Sequence, residues 1–175
     1  AQTGRPYGTY IGLEAERFYD VTDFDNAGNL KEGIPTPAFG SVQPGDVKYS
    51  DLDGNGVVNQ NDVTQIGKSP YPEWYFSFGG KIGYKGFDLE VLFQGAAGAS
   101  VNLLDNWNQT VAFVDNGNAY EIAKGAWAYY PTEGIDTRAT ARYPRLTTKN
   151  NENNYQTSSL WIKSADYLKL RNLEL

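Results

Sequence analysis

Cysteine and histidine are both absent from this 175-residue chain. Without thiols there can be no disulfide and no cysteine nucleophile. Without imidazole there is no Ser–His–Asp arrangement, and the usual zinc and haem ligands are missing. Apolar runs are short, and none reaches the roughly 18 residues that a membrane-spanning helix needs. Basic residues are few and never clustered: 15 Lys and Arg face 21 Asp and Glu, a formal net charge of −6. That balance argues against a nucleic-acid partner. What is plentiful is aromatic residues, at 14% with 13 Tyr and 4 Trp, and glycine, with 19 residues. This palette favours strands and turns, and the length suffices for one domain with a core. A membrane β-barrel stays open, because its strands carry only weak alternating signals.

The most specific local pattern is the twelve-residue stretch Asp51-Leu52-Asp53-Gly54-Asn55-Gly56-Val57-Val58-Asn59-Gln60-Asn61-Asp62. Oxygen-bearing side chains fall at positions 1, 3, 5, 9 and 12 (Asp51, Asp53, Asn55, Asn59 and Asp62), and Gly56 stands at position 6. That is the spacing of a calcium loop, in which position 7, Val57, adds its backbone carbonyl. Val58 is apolar, as suits a residue that ties the loop to a core. Position 12 is Asp rather than Glu, and only three ligands carry charge, which predicts modest affinity suited to a calcium-rich exterior. The flanking Pro44-Gly45, Gly67 and Pro70 argue against a helix–loop–helix hand. The competing reading is a solvated Asp/Asn/Gly turn that holds no ion.

Alternation predicts a strand over 9–16 after a turn at Gly4-Arg5-Pro6. A long loop rich in Asp, Asn, Gly and Pro follows over 23–45, and 63–70 allow one helical turn. The clearest periodicity comes next. Trp74, Phe76, Phe78, Gly80, Ile82 and Tyr84 alternate with Tyr75, Ser77, Gly79, Lys81 and Gly83. After Lys85-Gly86, Phe87, Leu89, Val91, Phe93 and Gly95 alternate with Asp88, Glu90, Leu92, Gln94 and Ala96. These are two strands of about ten residues joined by a two-residue turn. Soluble strands commonly have five or six residues, whereas a tilted strand crossing a bilayer needs roughly 9–11. Aromatics mark both ends of this hairpin, and one face is polar, as a barrel wall requires; a soluble sheet with one solvated face fits the periodicity as well. Further on, 102–118 reads as a loop around Trp107 and Phe113, and Asn108-Gln109-Thr110 fits the glycosylation tripeptide. The stretch 119–130 has helical composition closed by Pro131, and 147–159 reads as an exposed polar loop. Leucines at 168, 170, 173 and 175 predict a closing strand, with a bulge near Asn172 where the two-residue step becomes three. The natural protein is expected to continue past Leu175.

Several blocks, in order, resemble the starch-utilisation (SusC-like) family of TonB-dependent outer-membrane transporters. They are Pro44-Gly45-Asp46-Val47-Lys48-Tyr49 running into Asp51 to Gly56, then Ile66-Gly67 with Pro70 to Phe78. Tyr84 to Leu89 with Phe93-Gln94-Gly95, Tyr143-Pro144-Arg145-Leu146, and Tyr167 to Leu173 complete the set. Each block is weak alone, and together they span most of 7–175. The resemblance implies an all-β fold, with the whole of 1–175 one late part of a transmembrane β-barrel domain. It would carry antiparallel strands, long extracellular loops and one short helix, with the plug domain absent. It also implies energy coupling to TonB through parts outside this chain, a SusD-like surface lipoprotein as partner, outer-membrane lipid around the wall, and a starch-like glycan as substrate. The Lys85-Gly86 turn would then face the periplasm, and the calcium-type loop the exterior.

Two other functions remain at this stage. A secreted, calcium-stabilised carbohydrate-binding module could stack sugars on Trp107 or Trp127, although buried tryptophans are commoner. A glycoside hydrolase would need two carboxylates roughly 5–9 Å apart. Glu121, Glu133 and Asp136 could be nominated, but no motif singles them out, so no enzyme is expected.

Overall fold

The computed structural model describes Gly4 and residues 6–175. The turn expected at Gly4-Arg5-Pro6 includes Arg5, which lies outside the described residues. In chain order the strands are β1 (Ile11–Gly12), β2 (Ala15–Phe18), β3 (Thr36–Pro37), β4 (Val47–Tyr49), β5 (Val57–Val58) and β6 (Thr64–Gln65). Then come β7 (Trp74–Tyr84), β8 (Phe87–Ala97), β9 (Ser100–Asn102), β10 (Tyr129–Tyr130), β11 (Ile135–Asp136), β12 (Ile162–Ser164) and β13 (Tyr167–Glu174). Among the described residues the single α-helix is the one-turn α1 (Trp107–Thr110). Among the described residues no helix is long and apolar enough to cross a membrane. The chain is thus mostly strands with one short helix, and no sheet closes into a barrel among the described residues.

Two compact units divide the chain: one comprises residues up to Tyr10, Gly67–Val101 and Ile162–Leu175, and the other Ile11–Ile66 and Asn102–Trp161. The first is built on an antiparallel sheet in the order β13-β8-β7. Its hairpin register runs unbroken from Trp74↔Ala97 to Tyr84↔Phe87. Lys85 and Gly86 both have positive φ, 49° and 87°, which is the type I′ geometry that matches the strand twist. On the other side, β13 pairs with β8 from Tyr167↔Ala96 to Glu174↔Glu90, with a register shift between Leu170 and Asn172. The bulge expected near Asn172 is therefore present. It absorbs Arg171, so that Leu168, Leu170 and Leu173 stay on one face despite the three-residue step.

In the second unit, short strands surround two small cores. Leu13, Val47, Tyr49 and Val58 form one, and Tyr19, Phe24 and Val42 the other. The strand expected over 9–16 is broken into β1, which pairs with β6, and β2, which pairs with β4. The pairing of β3 with β5 is parallel, a departure from the expected antiparallel pattern. Proline fits there because Thr36 and Ala38, on either side of Pro37, donate to Gly56 and Val58 and Pro37 has no donor to waste.

Three local expectations are corrected. The helical turn lies over Gln60–Asp62, not 63–70, because Thr64 and Gln65 are drawn into the ladder with β1. Residues 119–130 hold no α-helix but a 3-10 turn, Glu121–Gly125, and the two-residue β10. The later donors turn elsewhere: Trp127 N donates to Tyr143 O and Ala128 N to Thr137 Oγ1, so no i−4 ladder can form. Finally, 147–159 is not an exposed loop, since Asn153, Asn154 and Ser158 are fully buried.

Candidate functional site

Alternation along β7 and β8 sorts their side chains onto two faces, and the register of β13 extends both. One face carries Trp74, Phe76, Phe78, Ile82 and Tyr84, opposite Phe87, Leu89, Val91 and Phe93, with Leu168, Leu170 and Leu173 alongside. Nothing covers it. Trp74 is 69% exposed, Phe78 55% and Leu170 49%, and a contiguous face of such large apolar side chains is one that soluble monomers rarely expose. Packing within the face is ordered all the same. The Phe78 and Phe93 rings stack 5.2 Å apart, and the Phe76 ring lies over Gly95, where a Cβ would collide with it. The opposite face is mostly polar, with rungs Ser77–Gln94–Lys169 and Lys81–Glu90–Glu174, although Tyr75, Tyr167 and Leu92 also lie on it, and Lys81 lies 3.6 Å from Asp88.

Strand length fits this division. β7 and β8 each have 11 residues, about 36 Å of strand at ~3.3 Å per residue. Tilted by ~45°, such a strand rises about 25 Å, the height of the lipid-facing band of an outer-membrane barrel. Trp74 and Tyr75 stand at one end of that rise, and Tyr84 and Phe87 at the other.

The second feature is the 51–62 loop. Asp51, Asp53 and Asp62 converge, with one carboxylate oxygen from each lying within 4.8 Å of the others. Oxygens around one calcium ion sit ~2.3–2.6 Å from it, so partners across the ion are separated by about 5 Å, and these three fit. No Lys or Arg forms an ion pair with them among the described residues. The backbone folds around their oxygens. Asp51 accepts from Gly54, Asn55 and Gly56 N–H, and the fully buried Asp62 accepts from Leu52, Asp53 and Asn59 N–H. Burial works against the Asp62 charge, but those three donors outweigh it and hold the carboxyl below its ordinary value. Gly54 and Gly56, with φ of 71° and 84°, supply the left-handed bends.

The other three expected ligands are placed differently. Asn55 turns its amide nitrogen to Asp53 at 2.8 Å and its oxygen to Val57 N–H at 2.7 Å. Asn59 caps the 3-10 turn through Asn61 N–H, and its amide nitrogen donates to the Val57 carbonyl at 3.1 Å. Val58, fully buried in the first core, anchors the loop as expected.

One residue that composition and spacing did not single out organises this unit. Asp46 is fully buried. Its Oδ1 accepts from Arg145 Nε at 2.7 Å, Asn154 Nδ2 at 2.9 Å and Asn151 Nδ2 at 3.1 Å. Its Oδ2 accepts from Gln43 N at 2.8 Å and Arg145 Nη2 at 3.4 Å. Asn154 in turn accepts from Val47 N, and the neighbouring Asn153 donates to Val47 O, which ties 145–154 to β4. Gly45, at φ 90°, faces the Trp127 ring where any side chain would collide. Trp127 is accordingly buried, while Trp107 packs edge-on against Tyr155 at 4.9 Å. Trp127 is therefore not free as a sugar platform, and Trp107 is half-buried.

A β-rich chain with an uncovered apolar sheet face backed by a polar one has the features of a membrane-barrel wall. No protein-family model matches the chain. It is similar to two proteins of Formosa agariphila. TonB-dependent receptor P3 is 28% identical over 172 residues, 97% of this chain and 15% of that protein. TonB-dependent receptor P26 is 25% identical over 131 residues, 75% of this chain and 12% of that protein. The chain thus spans about an eighth to a seventh of the length of these relatives. They are distant homologues that support the TonB-dependent receptor family. Neither name specifies a starch type, and neither describes an enzyme.

Proposed function

We propose that this chain is a late wall segment and its attached loops from an outer-membrane, TonB-dependent transporter that imports glycans of the starch type together with a SusD-like surface lipoprotein. The observation that carries this reading is the uncovered apolar face of β7, β8 and β13, of bilayer height and backed by a polar face. The outer edges of β7 and β13 have no strand partner among the described residues, and in lipid such edges require neighbours on both sides. Outer-membrane lipid lies against the apolar face, the polar face lines the lumen, the Lys85–Gly86 turn faces the periplasm and the long connections face the exterior. A secreted binding module would leave the same apolar face in water, which the hydrophobic effect disfavours. Cells lacking the full-length receptor should lose uptake of labelled maltoheptaose, and cells lacking TonB should lose it equally. Undiminished uptake in either strain overturns the transport reading.

The 51–62 loop is proposed to hold one Ca²⁺ through Asp51, Asp53 and Asp62. The Asn55 and Asn59 amides and the Val57 carbonyl would complete the shell once the two amides turn their oxygens inward. A divalent cation would offset three converging negative charges and stiffen an extracellular loop. At a free calcium concentration near a hundred times Kd, the folded state should gain about 2.7 kcal/mol, read as a rise in melting temperature and slower proteolysis within the loop. Asp53→Ala should abolish both effects, since Asp53 is exposed and its carboxylate otherwise contacts only Asn55. If calcium leaves the wild-type loop unchanged, the loop is a metal-free turn.

A further inference from the structure

We propose that the cleft between residues 39–43 and 145–152 is a binding site for an uncharged, polyhydroxylated ligand, an oligosaccharide segment; this rests on the glycan-transport reading and assigns it a place. The cleft is open to solvent, has a volume of about 690 Å³ and is lined in part by Phe39, Gln43, Arg145, Leu146, Asn150 and Asn151. That volume lies within the roughly 300–1,000 Å³ of ligand pockets. Its floor is set from below. Buried Asp46 fixes both Arg145 and Asn151 by hydrogen bonds, so their side chains are ordered before any ligand arrives, and binding carries less of that entropic cost. Of the five N–H groups on the Arg145 guanidinium, Asp46 takes two. The other three have no acceptor among the described residues and are left for ligand oxygens.

Charge decides the ligand class. Arg145 is neutralised by Asp46, and the rim carries one further cation, Lys149, and one further anion, Glu152. The lining therefore has no net charge with which to select an ion. It is dominated by hydroxyls and amides, those of Ser41, Gln43, Thr148 and Asn150 among them, which both donate and accept. Phe39 and Leu146 supply apolar surface beside them, the latter 45% exposed. Hydroxyl-rich rings with apolar C–H faces match both halves of such a lining.

The test uses the full-length receptor in detergent and isothermal titration calorimetry, with maltoheptaose and xylohexaose as neutral probes and trigalacturonate as an acidic one. The Gln43 and Asn150 side chains make no hydrogen bond among the described residues, so Gln43→Ala/Asn150→Ala should leave the melting temperature unchanged. It should weaken binding of a neutral probe by about tenfold, the loss that two hydrogen bonds account for. Leu146→Ala should weaken the same probe without loss of fold. If the receptor binds a neutral probe and both variants bind it undiminished, the cleft is overturned while the glycan reading stands. If it binds only trigalacturonate, the neutral-ligand cleft and the starch type are overturned while transport of a glycan stands; if it binds none of the three, the glycan reading fails and the cleft falls with it.

Discussion

Phe78→Arg in the full-length receptor should cost about 2–4 kcal/mol of folding stability in the bilayer, the penalty for a cation at the lipid-facing midplane of a barrel. Phe78 stands near the middle of the 11-residue β7 and stacks on Phe93, so the substitution also removes an aromatic pair. One residue earlier, Ser77→Arg should be close to neutral, because Ser77 lies on the polar face beside Gln94. Trp74→Arg tests depth: at the end of the same strand the penalty should fall to about 0–1 kcal/mol. Urea titration of receptor folded into phosphatidylcholine vesicles would rank the three variants. The ordering Phe78 above Trp74 above Ser77 follows only if the apolar face meets lipid. A soluble sheet would remove the ordering, since Arg at an exposed Phe78 would improve solubility at little cost to stability.

That contrast rests on a part of the structure that was legible in the sequence. Alternation over two strands leaves one register in which every aromatic but Tyr75 shares a face, because a one-residue slip would reverse all of them. The three-residue step from Leu170 to Leu173 likewise announced a bulge, since no regular strand keeps both leucines on one side. The convergence of Asp51, Asp53 and Asp62 was readable for a similar reason: spacing within twelve residues is a local property, and a tight turn with two positive-φ glycines brings such positions together. Partners distant in sequence were not readable. Asn153 and Asn154 look like solvent-facing residues until β4 is placed against them, and the Asn154 partner, Asp46, is 108 residues away. The helix expected over 119–130 failed for the same reason, its donors being taken by Thr137 and Tyr143. What the sequence did carry was a marker without a mechanism. Pro44-Gly45-Asp46 and Tyr143-Pro144-Arg145-Leu146 were each recognisable blocks, and the structure shows why they occur together: Asp46 and Arg145 are one ion pair.

Breaking that pair should have the largest effect on the second unit. Asp46→Ala removes the acceptor for two Arg145 contacts, two asparagine amides and the Gln43 N–H. Arg145 is partly exposed and can turn toward water, but Asn154 is fully buried and cannot, so an unpaired amide remains inside. Arg145→Ala leaves the converse fault, a fully buried carboxylate without its cation. Each substitution should cost about 3–5 kcal/mol, as removal of one member of a buried pair does. The double variant should be no worse than the poorer single, because both changes remove the same interaction, and the cycle should close with a coupling above about 1 kcal/mol. Thermal melting of the full-length receptor and its variants measures all three legs. Additive losses would mean that Asp46 and Arg145 stabilise the unit through separate neighbours and that no shared node joins residues 43–49 to 145–154.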